Sequence, residues 1–317
     1  MNKERRAFIN QISLVAAVAA FNKPALLLAS VNQKNNRLNG SGQDVTVYHT
    51  NDLHGQIQPV MANKGGLSNI QMVLKQQQAN GLLLDSGDFL VGKQRIAAQK
   101  EIISAMNNMG YHAAAIGNDE LAFGQDYLAS LIPFMSFSLV NCNYSFAGDL
   151  NNLVKPYTII CSDKFKIGIT GVGHKVDGVT YSDAIKSANT TAGILKDDKK
   201  CDLVICLSHL GYSQSGDRPD DQKLASQSEH IDMIISGHNR FLVSGPIVKL
   251  NKLKHEVIIS LAGHHGLMVG KTVFSFAMNK QKSSIRSKNL IAGETDGKNF
   301  SESFTELLKN EKLLTAV

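Results

Sequence analysis

Hydrophobic positions along this chain follow two alternating periods. The run at 45–50 is rich in β-formers, and Leu67, Ile70 and Leu74 then fall at helical spacing. Residues 82–84 are three leucines, which predicts a short buried strand. Ile102, Met106 and Met109 predict a helix, with Gly110 in the position just past its end. Strands are expected at 138–141, 157–161 and 166–171. Ile185, Ala188, Ala192 and Leu195 form an apolar stripe, with Ser182 as the expected N-cap. The runs at 203–207 and 233–235 are continuously apolar, as strands covered on both faces require. Further strands are expected at 247–250, 257–261 and 272–276. No internal repeat or long linker interrupts the pattern. It predicts one α/β domain with two packed sheets over 44–276, then a polar tail, 277–317, ending in a helix near 302–314.

Residues 1–30 carry a different pattern. Arg5 and Arg6 precede an apolar stretch over 12–21 broken only by Ser13. That stretch is short for a membrane span of about 20 residues. A basic head and a short apolar body predict an export signal, either cleaved near Ser30 or retained as an anchor. The run Arg5-Arg6-Ala7-Phe8-Ile9-Asn10 resembles a twin-arginine signal. The expected location is the periplasm or cell envelope. Residues 31–43, rich in Asn, Gln, Gly and Ser, are expected to form a flexible leader.

Of the 317 residues, 43% are hydrophobic and 19% charged, enough apolar material for a sizeable core, which excludes a disordered chain. The formal charge is +6, and Lys3, Arg5, Arg6 and Lys23 against Glu4 account for half of it. What remains is too little to argue for a nucleic-acid partner. Trp is absent and 6% of residues are aromatic, so a base-stacking platform is not expected. Cys142, Cys161, Cys201 and Cys206 include no C-x-x-C pair, which argues against a thiolate zinc site. They are expected to be small buried hydrophobes, with Cys201 and Cys206 on opposite faces of one strand.

Polar residues of metal-binding type recur where the apolar runs stop. Asn51-Asp52-Leu53-His54-Gly55 follows the first strand, and Asp85-Ser86-Gly87-Asp88 ends the second. Gly117-Asn118-Asp119-Glu120, Ser208-His209 and Ser236-Gly237-His238-Asn239-Arg240 occupy the same relation to later runs. Ligands of open α/β sheets bind beyond the carboxyl ends of the strands. Any one of these strings alone is an ordinary turn; five together predict a shared site. Carboxylate, imidazole and amide donors suit Zn, Mn, Fe, Ni or Co.

The strings His49-Thr50-Asn51-Asp52-Leu53-His54-Gly55, Gly65-Gly66-Leu67, Asp85-Ser86-Gly87-Asp88, Ile116-Gly117-Asn118, Leu207-Ser208-His209-Leu210-Gly211 and Ser236-Gly237-His238 stand in one order. Together they resemble the exported 5′-nucleotidases of the calcineurin-like metallophosphoesterase superfamily. The closest look is to single-domain bacterial members without a separate C-terminal substrate domain, for which this chain leaves no room. The resemblance implies a four-layer αββα sandwich of two packed mixed sheets. It implies two divalent ions, of the Zn, Mn, Co, Ni, Fe or Mg class, sharing one carboxylate. By motif position, Asp52 and His54 hold the first ion, Asp88 bridges, and Asn118, His209 and His238 complete the second. The implied chemistry is hydrolysis of a small phosphate ester, such as a nucleotide, by metal-activated water.

Two positions depart from that pattern. The family's catalytic His after Gly-Asn is Asp119 here, and the Asp that orients it is Ala122. A neutral ligand of the first ion is replaced by Arg240, which has no lone pair to offer. Asp119 and Arg240 therefore become the candidate catalytic positions of an altered site, with the second ion's set intact and the first ion's in doubt. Their opposite charges predict an ion pair of Arg240 with Asp119 or Asp52, the alternative being an Arg240 turned into solvent on its long flexible stem. A hydrolase of reduced activity, an exported pseudoenzyme or binding protein, and a partner of a separate chain carrying the substrate domain all accommodate these changes. His264-His265, flanked by glycines, is expected to be a solvent-facing turn, the alternative being a substitute ligand.

Overall fold

Alternate residues of each apolar run have two different places to go, and that is what makes the runs strands. The computed structural model describes residues 37–38, 42–61, 63–91 and 96–315. In chain order the first elements are β1 Arg37–Leu38, β2 Asp44–Thr50, α1 Gly66–Gln76, β3 Leu82–Asp85, α2 Ile96–Met109 and β4 Ala113–Ala115. Then come α3 Asn118–Leu121, α4 Gln125–Leu131, β5 Ser138–Val140, β6 Tyr144–Ser145, β7 Tyr157–Ser162, β8 Phe165–Gly173, β9 Thr180–Tyr181 and α5 Ala184–Gly193. The rest are β10 Leu203–His209, α6 Asp221–Gln227, β11 Met233–Ser236, β12 Ile247–Leu250, β13 Glu256–Ser260, β14 Met268–Phe276, β15 Lys282–Ile291 and α7 Phe300–Thr315.

Two large mixed sheets result, ordered β15-β14-β2-β3-β4-β5 and β1-β7-β8-β10-β11-β13-β12, with a small β6-β9 ribbon. Val45, Val47, Leu82, Leu84, Ala113 and Ala115 of one sheet meet Ile167, Ile169, Leu203, Ile205, Leu207, Met233 and Ile235 of the other. The intervening residues face outward under helices. Tyr48, Leu83 and Ala114 pack with Ile70, Ile102 and Met106 of α1 and α2. Val204, Cys206 and Ile234 pack with Ala188 of α5 and Leu224 of α6. The layers are therefore helix, sheet, sheet, helix, as the resemblance implied, and Gly110 closes α2 at φ 79°.

Several expectations change. The N-cap of α5 is Asp183, whose side chain accepts from Lys186 N, rather than Ser182. Cys201 precedes β10, and it shares one cluster with Cys206 on the helix-covered side rather than an opposite face. The stretch read as a polar tail contains β15, paired along β14, because an edge strand needs few apolar residues. It also contains α7, whose Leu307 is buried against Leu267, Met268 and Ile291. Within the expected leader, Arg37–Leu38 adds in parallel to β7. The predicted export signal, 1–30, lies outside the described residues. Among the described residues no helix is long and apolar enough to cross a membrane.

Candidate metal centre

The strand ends of both sheets meet along one rim. Asp52 and His54 follow β2, Asp88 follows β3, and Asn118 opens α3 beyond β4. From the other sheet, His209 ends β10 and His238 follows β11. Backbone hydrogen bonds lock these loops: Asp52 N donates to Gly87 O at 3.0 Å, His54 N to Asp88 O at 2.8 Å, and His265 N to Asp52 O at 2.7 Å. Asp119 N donates to Asp88 Oδ1 at 2.8 Å. The two sheets are tied by His238 N, which donates to both Asp52 oxygens at 3.1 Å, and by His209 Nδ1, which donates to Ser86 O at 2.8 Å.

This convergence strains the backbone. Asp52, His54, Asp88 and His238 sit at φ 50°, 46°, 55° and 75°, a left-handed region that costs a non-glycine residue energy, although turns elsewhere in the chain, such as those at Lys200 and Lys254, use it too. Gly117 lies so close that a Cβ there would press on Asp88 Oδ1 and sit 2.7 Å from His209 Nε2.

Asp52, His54 and Asp88 offer ligand atoms all within 4.8 Å of one another. Nε2 of His54 and Nε2 of His209 are buried with no hydrogen-bond partner. Both rings donate through their other nitrogen, His54 Nδ1 to Asp119 Oδ2 at 2.8 Å and His209 Nδ1 to Ser86 O. A neutral ring so placed keeps its lone pair at Nε2. Buried orphan nitrogens beside carboxylates are costly as they stand and suit a divalent transition ion, so the residues present fit the metal that the motifs imply.

His209 Nε2 lies 3.2 Å from Asp88 Oδ2, an ion-pair distance without hydrogen-bond geometry. Burial opposes ionisation of both groups, yet each favours its neighbour's charge. Asp88 is held well below the usual carboxylate range and His209 is pushed up to about 10. A cation between them competes with that proton. Burial raises Asp52. Burial and the neighbouring His209 bring His238 down to about 4.

The sequence-predicted residues are not all gathered equally. The compact trio is the set that the resemblance implies for the first ion together with the bridging Asp88. On the second ion's side His209 and His238 have ring centres 5.3 Å apart, and Asn118 is exposed at the first turn of α3. Asp119 is paired, but with His54. Arg240 is exposed and makes no ion pair among the described residues, so the expected Arg240 pairing does not form. The His264-His265 turn is not solvent-facing: His264 is buried, and the His265 ring centre lies 5.2 Å from that of His54.

Other residues of the site were not among the candidates read from the sequence. Glu120 accepts from Asp88 N at 2.9 Å, Gly117 N at 2.7 Å and Leu90 N at 3.0 Å, which fixes the Asp88 turn. Burial and then Asp88 push its carboxyl up to about 8. His174 donates to His209 O at 3.1 Å and lies 4.2 Å from the His238 ring. Asp221 accepts from both Ser208 Oγ and Ser236 Oγ, the residues just before His209 and Gly237-His238.

Comparison with known proteins bears on this arrangement. The family model for calcineurin-like phosphoesterases matches residues 45–239. A 5′-nucleotidase of Vibrio cholerae is 27% identical over 269 residues, 73% of this chain and 49% of that protein. A snake venom 5′-nucleotidase of Gloydius brevicauda is 28% identical over 236 residues, 64% of this chain and 38% of its own. The chain thus spans less than half the length of these two relatives. The crystal structure of a 5′-nucleotidase precursor from Thermus thermophilus superposes with a TM-score of 0.71 at 23% identity, covering 86% of this chain and 59% of the other. That likeness concerns the fold.

Proposed function

This chain belongs to the calcineurin-like phosphoesterase family, and on that premise we propose that it is a metal-dependent hydrolase of nucleotide or related phosphate esters. The observation that carries the reading is the buried Asp52–His54–Asp88 cluster with partnerless Nε2 atoms at its edge. Divalent ions bound there supply Lewis acidity toward phosphate oxygens and a nucleophilic water at neutral pH. The assigned holders are Asp52 and His54 for one ion, Asn118, His209 and His238 for the other, and Asp88 for both. Asp119 accepts the His54 Nδ1 proton, so it acts as a positioning carboxylate that presents Nε2. Arg240, which is exposed, takes a substrate phosphate through its planar fork in this reading.

Reduced turnover belongs to this proposal. Position 119 carries no imidazole, and a carboxylate there repels an anionic ester. The same residue favours a second reading, an exported binding protein that holds metal and ester without turnover. Export, directed by residues 1–30 with their removal near Ser30, is tested by the N-terminal mass of protein recovered from the cell envelope, where a chain still starting at Met1 would leave the retained anchor in place of cleavage.

The test of the function is phosphate release from a nucleoside monophosphate and from an aryl phosphate with Mn²⁺, Co²⁺ or Zn²⁺. We expect metal-dependent turnover below the ordinary enzyme rate of about 10 s⁻¹, abolished by Asp88→Asn. No release from either ester by metal-loaded protein supports the binding-protein reading, and an ordinary rate removes the claim of reduced activity.

A further inference from the structure

We infer that His265 is a ligand of the first ion, in the role that Arg240 cannot fill. The inference rests on the metal-dependent reading above and concerns a residue outside the motif set. An imidazole nitrogen about 2.1 Å from an ion puts the ring centre about 3.2 Å away, so two imidazoles on one tetrahedral ion have centres about 5 Å apart. The ring centres of His54 and His265 are 5.2 Å apart at an interplanar angle of 61°. Those of His209 and His238, the pair assigned to the second ion, are 5.3 Å apart at 68°. The two pairs therefore share a spacing that two imidazoles on one ion can adopt.

The backbone of His265 is built into the site. Its N–H donates to Asp52 O at 2.7 Å, which ties the turn to the strand end that carries Asp52 and His54. A hydrogen-bonded chain also sets its tautomer. Glu311 of α7 accepts from His264 Nε2 at 2.7 Å, and His264 Nδ1 lies 2.9 Å from His265 Nδ1. A neutral His264 that gives its proton to the carboxylate has only a lone pair at Nδ1. His265 must then donate from Nδ1, which leaves the lone pair of His265 on Nε2. A carboxylate that orients a ligating histidine is a recurrent device; here it acts through one intervening ring. α7 thus becomes an outer support of the metal centre.

The experiment uses the full chain, loaded with Co²⁺ and freed of excess by gel filtration. Metal content comes from elemental analysis, the coordination sphere from the Co²⁺ absorption spectrum, and folding from near-ultraviolet circular dichroism. His265→Ala is expected to hold one ion fewer than the wild type, with a changed spectrum. Glu311→Leu, which removes the acceptor at a half-buried helix position, is expected to weaken binding of the same ion about 10–100-fold. If His265→Ala fails to fold, Glu311→Leu decides alone. Wild-type content, affinity and spectrum in both folded variants overturn the inference and leave the metal-dependent reading standing. A wild-type chain that retains no Co²⁺ removes that reading itself.

Discussion

Asp119 stands where the resemblance expects an imidazole, and its carboxylate holds His54 at 2.8 Å instead of meeting a leaving group. One residue is thus asked to do a different task, and the two tasks oppose each other in a variant. The double change Asp119→His with Ala122→Asp is expected to raise kcat at saturating Mn²⁺, recovering part of the 10²–10⁴-fold that a general acid supplies. It removes the acceptor of the His54 Nδ1 proton, so the apparent metal affinity is expected to fall about 10–100-fold. Kinetics across a Mn²⁺ titration read both numbers at once. An unchanged kcat together with an unchanged metal affinity would show that the residue at 119 plays neither part.

Between elements, the decisive contact is Asp221 at the start of α6, whose carboxyl takes a hydroxyl proton from Ser208 on β10 and another from Ser236 on β11. It clamps the two strand ends that carry His209 and His238. Burial pushes its carboxyl up to about 7, against the lowering effect of the two serines. A carboxyl whose folded-state pKa lies above its unfolded value near 3.9 binds more protons folded than unfolded. Its contribution therefore favours folding at low pH and is lost as pH rises from about 4 to about 7. Asp221→Asn mimics the protonated form, with one acceptor and one donor. Its stability relative to the wild type is expected to grow by about 1.4 kcal/mol per pH unit within that window and to level off above it; denaturant unfolding at pH 5, 6, 7 and 8 measures this. A difference that stays flat with pH would mean that Asp221 is ionised in the fold. Nothing in the sequence announces this contact, since it joins residues 13 and 15 positions apart in the chain. The strands were legible because Leu203, Ile205 and Leu207 must face one layer while Val204 and Cys206 face another. β15 was not, because an edge strand with outward Ser284, Arg286 and Lys288 carries little apolar signal. The candidate ligands that directly follow strands were readable for the same reason as the strands. His265 was legible only as the alternative to a solvent-facing turn and Glu311 not at all, because only the docking of β14 and α7 brings them to the rim.

At the scale of the whole molecule, the candidate metal centre lies on the seam between the two sheets. Asp52, His54 and Asp88 belong to the six-stranded sheet, His209 and His238 to the seven-stranded one. The direct polar links noted across that seam at the rim are His238 N to Asp52, His209 to Ser86 and the His209–Asp88 pair. An ion that shares Asp88 with His209 would join the sheets and stabilise the folded chain by mass action, about 2.7 kcal/mol at a free concentration 100 times its Kd. For a chain of this size a kcal/mol moves Tm by about 1.5 °C. The expected increment over chelator-treated protein is therefore on the order of 4 °C, rising with the logarithm of Mn²⁺ concentration. Because ligands come from both sides, a variant on either sheet should reduce it: Asp52→Asn from one, His209→Ala or His238→Ala from the other. Differential scanning calorimetry of these variants, each with chelator and with Mn²⁺, separates two architectures. If only Asp52→Asn loses the increment, the ion rests on the six-stranded sheet alone. Loss in all three means that the metal closes the seam, so that removing it loosens the packing of one half of the sandwich against the other.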